Sequence, residues 1–371
     1  MADQEGRGIR CTPTRWRLIA SGVLLAACPL LVLLFERFGE ALSGGYRPFS
    51  KGLLSLQATV ASVAPFALWD FFVVGLALTA LFTFVRRVVR RRPLLPWLSV
   101  VLLVSSATLF LFVSGWALNH YALSLANEIG LEVGAYTDDE LAAATRHYLE
   151  RAAALAPSVP RGEDGELLRQ DFYELARIAG GSYRELSESY GIFEGSQAPV
   201  KALLLLGEPL LLSGHVGIFF SPTGESSVPV NCAVADLPFT MCHEAAHRLA
   251  IAREQEANFA AFLACTTSDD VRFSYSGYYS AFSFCYGALR RSDPDRAARL
   301  LDEVRTSGLD AGVGLVLADL VATGRHYDAY EGWFGRVGSA VNDGYLRSFG
   351  EREGVKSYGL VVDYLIAWDR R

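Results

Sequence analysis

Apolar and polar positions divide the chain into two unequal parts. Residues 18–35 carry no charge, residues 52–85 carry only Asp70, and residues 93–119 are again uncharged. A helix needs roughly 20 apolar residues to cross a bilayer, so the pattern predicts three spans at about 18–35, 64–85 and 95–118. Beyond residue 120 the apolar positions recur mostly at helical spacing. Asp138-Asp139 open a helix over 141–156 that stops at Pro157, and another is expected over 166–178, broken by Gly180-Gly181. Two strand-like runs follow, 216–220 and 227–231, joined by the turn residues Ser221-Pro222-Thr223-Gly224. After Pro238 helices are expected at 239–252, 255–266, 274–290, 294–306, 309–322, 327–341 and 356–369. The expected fold is mainly α: a transmembrane anchor over 1–120, then a mostly helical domain with a small β-hairpin or edge sheet over 121–371.

Charge sharpens this division. The net charge of −6 conceals 12 Lys/Arg against 5 Asp/Glu in residues 1–127, and 22 against 35 in residues 128–371. An acidic domain without a basic stripe argues against nucleic acid as a partner. Arg86, Arg87, Arg90, Arg91 and Arg92 crowd between the second and third stretches, and Arg7, Arg10, Arg15 and Arg17 precede the first. Basic flanks stay in the cytoplasm, so the expected protein is a multi-pass cell-membrane protein. Its N-terminus is cytoplasmic, the lipid bilayer holds it through three spans, and its C-terminal domain is extracytoplasmic. Asp70, beside Trp69, is read as an interfacial residue. Leu25-Ala26-Ala27-Cys28 resembles a lipoprotein box, but an apolar run continues after it instead of a polar tether. Cys232, Cys242, Cys265 and Cys285 form no CxxC pair, which argues against a Cys-type metal site. They suit either two disulfides or small buried apolar positions.

The chemistry concentrates in Thr240-Met241-Cys242-His243-Glu244-Ala245-Ala246-His247. Histidines at i and i+4 of a helix project from one face, one turn apart, and both can bind a single Zn²⁺. Glu244 lies about 100° further around that helix, where its carboxylate reaches a zinc-bound water rather than the metal. It is the expected general base for peptide hydrolysis. A catalytic zinc needs a third protein ligand. Glu254 is the candidate, with Asn258 four residues on as support for a ligating histidine and Glu256 as the rival ligand. In an unbroken helix Glu254 would lie about 16 Å beyond His243 along the axis. The chain must therefore turn within 249–253, where neither Gly nor Pro marks a turn. The segment Gly224-Glu225-Ser226-Ser227-Val228-Pro229-Val230-Asn231 is the expected substrate-binding edge strand, since Pro suits an edge. Tyr275, Tyr278, Tyr279 and His326 are available to stabilise an oxyanion, and Tyr275 is taken as the first candidate.

Several runs together resemble a known family. Phe220-Ser221-Pro222-Thr223-Gly224-Glu225, Leu237-Pro238-Phe239-Thr240, His243–His247, Glu254-Gln255-Glu256-Ala257-Asn258-Phe259, Tyr275-Ser276-Gly277-Tyr278 and Gly354-Val355-Lys356-Ser357-Tyr358-Gly359 look like the domain of unknown function 3810 family. That is a family of bacterial membrane proteins whose spans precede a zincin-like domain; members typically carry Gly where this chain has Ala250. The resemblance implies a zincin-like fold of the Glu-zincin type and a zinc metallopeptidase activity on a peptide or protein substrate. The alternative is a catalytically inactive metal-binding membrane scaffold. A complete His243-Glu244-His247 set argues against it, because an idle site has no use for the base.

Overall fold

The computed structural model describes residues 13–349 and 360–371. The N-terminal helices are α1 (Pro13–Ala61), α2 (Leu68–Val89) and α3 (Leu95–Gly115), followed by a 3₁₀ turn at Ala117–Tyr121. The remainder holds α4 (Leu125–Ile129), α5 (Asp138–Leu155), α6 (Phe172–Gly181), α7 (Arg184–Ser189), β1 (Lys201–Leu203), α8 (Gly207–Leu212), β2 (Ile218–Phe220) and β3 (Glu225–Pro229). Then come α9 (Leu237–Arg248), α10 (Glu254–Thr266), α11 (Val271–Ser292), α12 (Pro294–Val304), α13 (Asp310–Asp328), α14 (Trp333–Ser348) and α15 (Val361–Asp369). The chain is mainly helical with one small sheet.

The first apolar stretch does not end its helix at residue 35. The α1 helix continues for 49 residues, taking in what reads in sequence as a loop. Phe35, Gly39, Ser43, Arg47, Ser50, Leu54 and Ala58 form a buried stripe along it at helical spacing. Long-range partners hold that stripe: Arg47 Nη1 donates to Glu128 at 2.6 Å, and Ser50 Oγ to the Gly115 carbonyl at 2.7 Å. The α2 helix starts at Leu68 rather than 64 because the preceding residues pair with β1, the Ala67 N–H donating to the Ala202 carbonyl at 2.9 Å. Helices α1, α2 and α3 are each long and apolar enough to cross a membrane, and so is the run Pro294–Asp328. That run bends at Gly308 (φ 97°), and α12 and α13 on either side of the bend both pack against α5.

The expected helix over 166–178 begins only at Phe172, where the Asp171 carboxylate accepts the Glu174 N–H at 2.8 Å. Helices α9 and α10 lie at the centre of the domain core, between α6 and α11. The sheet order is β1-β3-β2, with β1 parallel and β2 antiparallel to β3. The segment 224–231 is therefore not the edge expected from its proline. β3 is the middle strand, because the three residues of β1, too short to read in sequence, pair with its far side. β2 is the edge. Cys28, Cys232, Cys242, Cys265 and Cys285 are free and buried, so the two-disulfide alternative does not arise among the described residues. Cys11 and residues 350–359 lie outside them.

Asp70 does not face lipid headgroups. It is fully buried, and its carboxylate accepts the backbone N–H groups of Leu204, Leu205 and Leu206 at 2.8–3.0 Å. Glu225 makes the reciprocal tie, accepting the N–H groups of Leu68 and Trp69 at 2.8 and 3.2 Å at the start of α2. The hairpin turn closes the joint. Gly224 adopts φ +67°, and a Cβ there would sit 2.6 Å from the Leu54 carbonyl of α1. Anchor and domain are thus joined through buried hydrogen bonds rather than by a flexible tether.

Candidate metal centre

The α9 helix is buried along its whole length, which fixes its rotation. His243 and His247 accordingly face the same way, their Nε2 atoms 3.1 Å apart. Each ring is held from behind. His243 Nδ1 bonds the Asn258 Oδ1 at 2.9 Å, and His247 Nδ1 donates to the Ile251 carbonyl at 2.8 Å. With both Nδ1 atoms engaged, both Nε2 atoms are directed at the space between them.

The turn that no Gly or Pro marks is made by Ala250, at φ 63°. The Ala250 N–H donates to the His247 carbonyl at 3.0 Å, and the Ile251 N–H to the Ala246 carbonyl at 3.3 Å. This is the paired closure of a helix C-terminus whose left-handed position usually holds Gly. It reverses the chain, and α10 returns with Glu254 in its first turn. Glu254 Oε2 lies 3.2 Å from His243 Nε2 and 3.7 Å from His247 Nε2. Among the described residues these three form the group able to hold a metal ion, their ligand atoms all within 4.8 Å of one another.

Glu254 and Asn258, at i and i+4, share a face of α10, whereas Glu256 points elsewhere. Glu256 Oε1 accepts from Arg253 Nη1 at 2.8 Å and from the Tyr364 hydroxyl at 3.3 Å. The rival ligand is therefore absent from the cluster. Tyr275 also lies away from it, its hydroxyl bonded to Asp319 and its ring beneath Arg161. Tyr278 stacks under Arg151, the Tyr279 hydroxyl bonds Thr323, and His326 packs on Tyr327 and Tyr330. None of these four lines the cleft over the cluster.

That cleft measures about 930 Å³, within the range of small-molecule and peptide sites. Its floor holds His243, Glu244, His247, Glu254 and Asn258. Glu244 is buried, and its Oε2 has no hydrogen-bond partner. Burial raises its pKa to about 7, against the opposing pull of His243 and His247. Burial also works against ionisation of Glu254, but the two histidines outweigh it and hold that carboxyl well below its usual range. The backbone leading into edge strand β2 passes over Glu244, and a Cβ on Gly217 would meet that carboxylate unless the side chain shifted.

Two wall residues escaped the sequence reading: His215, whose Nδ1 bonds Ser213 Oγ at 2.9 Å, and Tyr345 of α14. Burial lowers the pKa of His215, with Glu254 opposing. The one available signal was the scarcity of histidine, six in the chain.

The family described as "Protein of unknown function (DUF3810)" matches residues 46–366. The chain belongs to that family. No curated protein and no solved structure matches it.

Proposed function

We propose that this DUF3810 member is a membrane-anchored zinc metallopeptidase that hydrolyses peptide bonds at the outer face of the membrane. The observation that carries the reading is the convergence of His243, His247 and Glu254 beside an unbonded Glu244 carboxylate, under a sheet edge, in an open cleft. The donor set suits zinc, with two imidazole nitrogens, one carboxylate oxygen and an open side for substrate. When bound, zinc would polarise the scissile carbonyl and acidify the attacking water.

The chain's own groups supply the rest. His243, His247 and Glu254 hold the metal, while Asn258 and the Ile251 carbonyl keep the imidazoles oriented. Glu244 takes the proton of the attacking water and returns one to the leaving amine. Its carboxylate, buried and with Oε2 unpartnered, is free to take up both halves of that exchange. The free edge of β2, starting beside Gly217, offers backbone groups to an extended peptide. His215 stands on the cleft wall with its Nδ1 bonded to Ser213 Oγ, where it shapes the approach of a substrate. The Arg-rich turn between α2 and α3 supports a cytoplasmic location for that turn and an extracytoplasmic one for the cleft.

Metal analysis and a peptide-library cleavage screen on the purified full chain test this reading. We expect about one zinc per chain and cleavage of some library member. Zinc retained in full by a His243→Ala, His247→Ala double variant would place the site elsewhere. A zinc-loaded chain that cuts nothing would favour an inactive scaffold.

A further inference from the structure

Resting on that reading, we infer that the cleft takes polypeptides that are themselves held in the membrane. The bond to be cut lies within a few residues of the bilayer, next to a bulky apolar side chain.

The first observation is one of height. Helix α3 has 21 residues, about 31 Å at 1.5 Å per residue, which matches a hydrocarbon core of about 30 Å. Arg90, Arg91 and Arg92 lie just before its start, and such residues remain in the inner headgroups. Its C-terminal cap, Trp116, therefore reaches the outer headgroup level, buried against the domain. Trp116 is also a neighbour of the metal cluster. Its Nε1 donates to the His247 carbonyl at 2.9 Å, and its ring stands edge-on to the His247 ring with centroids 5.7 Å apart. A helix only long enough to cross thus ends against a metal-facing histidine. The cleft has no stalk to raise it into bulk solvent.

The second observation is the wall. Phe112 and Trp116 of α3 and Phe334, Val337 and Val341 of α14 line one side of the cleft. Phe112 meets Tyr345 of α14 with ring centroids 6.0 Å apart, so α14 runs out from the end of α3. That wall is open to the cleft: Phe334 and Val337 are 50% exposed and Val341 68%. A chain emerging from the outer leaflet meets the apolar wall first and the β2 edge next.

The test uses the full chain in lipid nanodiscs. The best-cut library sequence is joined to a single transmembrane helix in two ways, directly and through a Gly/Ser linker of about 30 residues, which spans roughly 30 Å. Both substrates share the same membrane confinement, so any difference between them reports the height of the site. The close substrate should be cut about tenfold faster or more. Equal rates, or faster cutting of the distant substrate, would overturn the inference and leave the peptidase reading intact. If no library member is cut by the zinc-loaded chain, the reading fails and this inference with it. A readout independent of activity places a fluorophore on Val337→Cys of the cleft wall in a Cys11→Ser background, with lipid carrying a headgroup nitroxide as quencher. Strong quenching puts that wall at the outer headgroups, and its absence overturns the inference.

Discussion

The joint between anchor and domain and the floor of the cleft both bury charged side chains, yet they treat them differently. At the joint two carboxylates and one ammonium group are fully engaged. Asp70 accepts three backbone N–H groups, Glu225 accepts two, and Lys201 donates to the Ala61 and Ala64 carbonyls at the end of α1. At the cleft floor such side chains are left incomplete. Glu244 Oε2 and Asn258 Nδ2 have no partner, and the imidazole Nε2 atoms face each other and Glu254. Satisfied burial holds two parts of a fold together. Incomplete burial with convergent atoms costs stability and is kept where something else is to be bound.

The comparison can be broken most directly at Glu244. Glu244→Gln should lower peptidase activity by about 10²–10⁴ while zinc content and melting temperature stay near wild type. A variant that cuts at the wild-type rate would remove Glu244 from the chemistry. Next in size is the split between neighbouring glutamates. Glu254→Gln should weaken zinc binding by more than the roughly 10–100-fold typical of an outer-shell loss. Glu256→Gln should leave zinc affinity unchanged and loosen α10 from α15 through Tyr364. Zinc competition titrations that rank the two variants the other way would exchange their roles.

Asp70→Ala tests the joint. It strands three buried N–H groups and should cost about 3 kcal/mol, read as an earlier unfolding midpoint, with zinc stoichiometry unchanged. An effect of similar size comes from Asp236 on the cleft wall, whose pKa burial raises to about 6, with the Tyr327 hydroxyl opposing. A carboxyl whose folded pKa exceeds its unfolded one favours the fold below about pH 4 and loses that contribution as pH rises through 6. Asp236→Asn should therefore stabilise the chain by about 3 kcal/mol at pH 7.5 and by little at pH 4. Equal melting gains at both pH values would show that its ionisation is irrelevant. The smallest effect is at Ala250. Glycine relieves a left-handed alanine by about 1 kcal/mol, so Ala250→Gly should raise the melting temperature. A lower one would mean that the turn is not strained.

Much of the architecture was legible because it depends on local pattern. The seven helices expected after Pro238 correspond to α9 through α15, with boundaries shifted by up to seven residues; residues 356–359 of the last lie outside the described residues. The hairpin turn at 221–224 was readable from its Pro and Gly. Short or capped pieces were not. β1 has three residues, and the start of α6 is set by the Asp171 cap rather than by apolar spacing. The extension of α1 past residue 35 was hidden because its polar stripe resembles a loop until Glu128, Gly115 and Asn119 are packed against it.

At the centre the same division holds. The sequence alone determined that His243 and His247 face one direction, since i and i+4 on a helix permit nothing else. It also determined which stretches are long and apolar enough to cross a bilayer. Only the tertiary structure decided that Glu254 rather than Glu256 joins them, because an alanine at φ 63° turns the chain back. Packing likewise brought Gly217 over Glu244, placed His215 in the wall, and committed Tyr275 to Asp319 elsewhere. Those contacts join positions far apart in the chain, and their geometry is set by how buried helices close on one another. No local spacing records it.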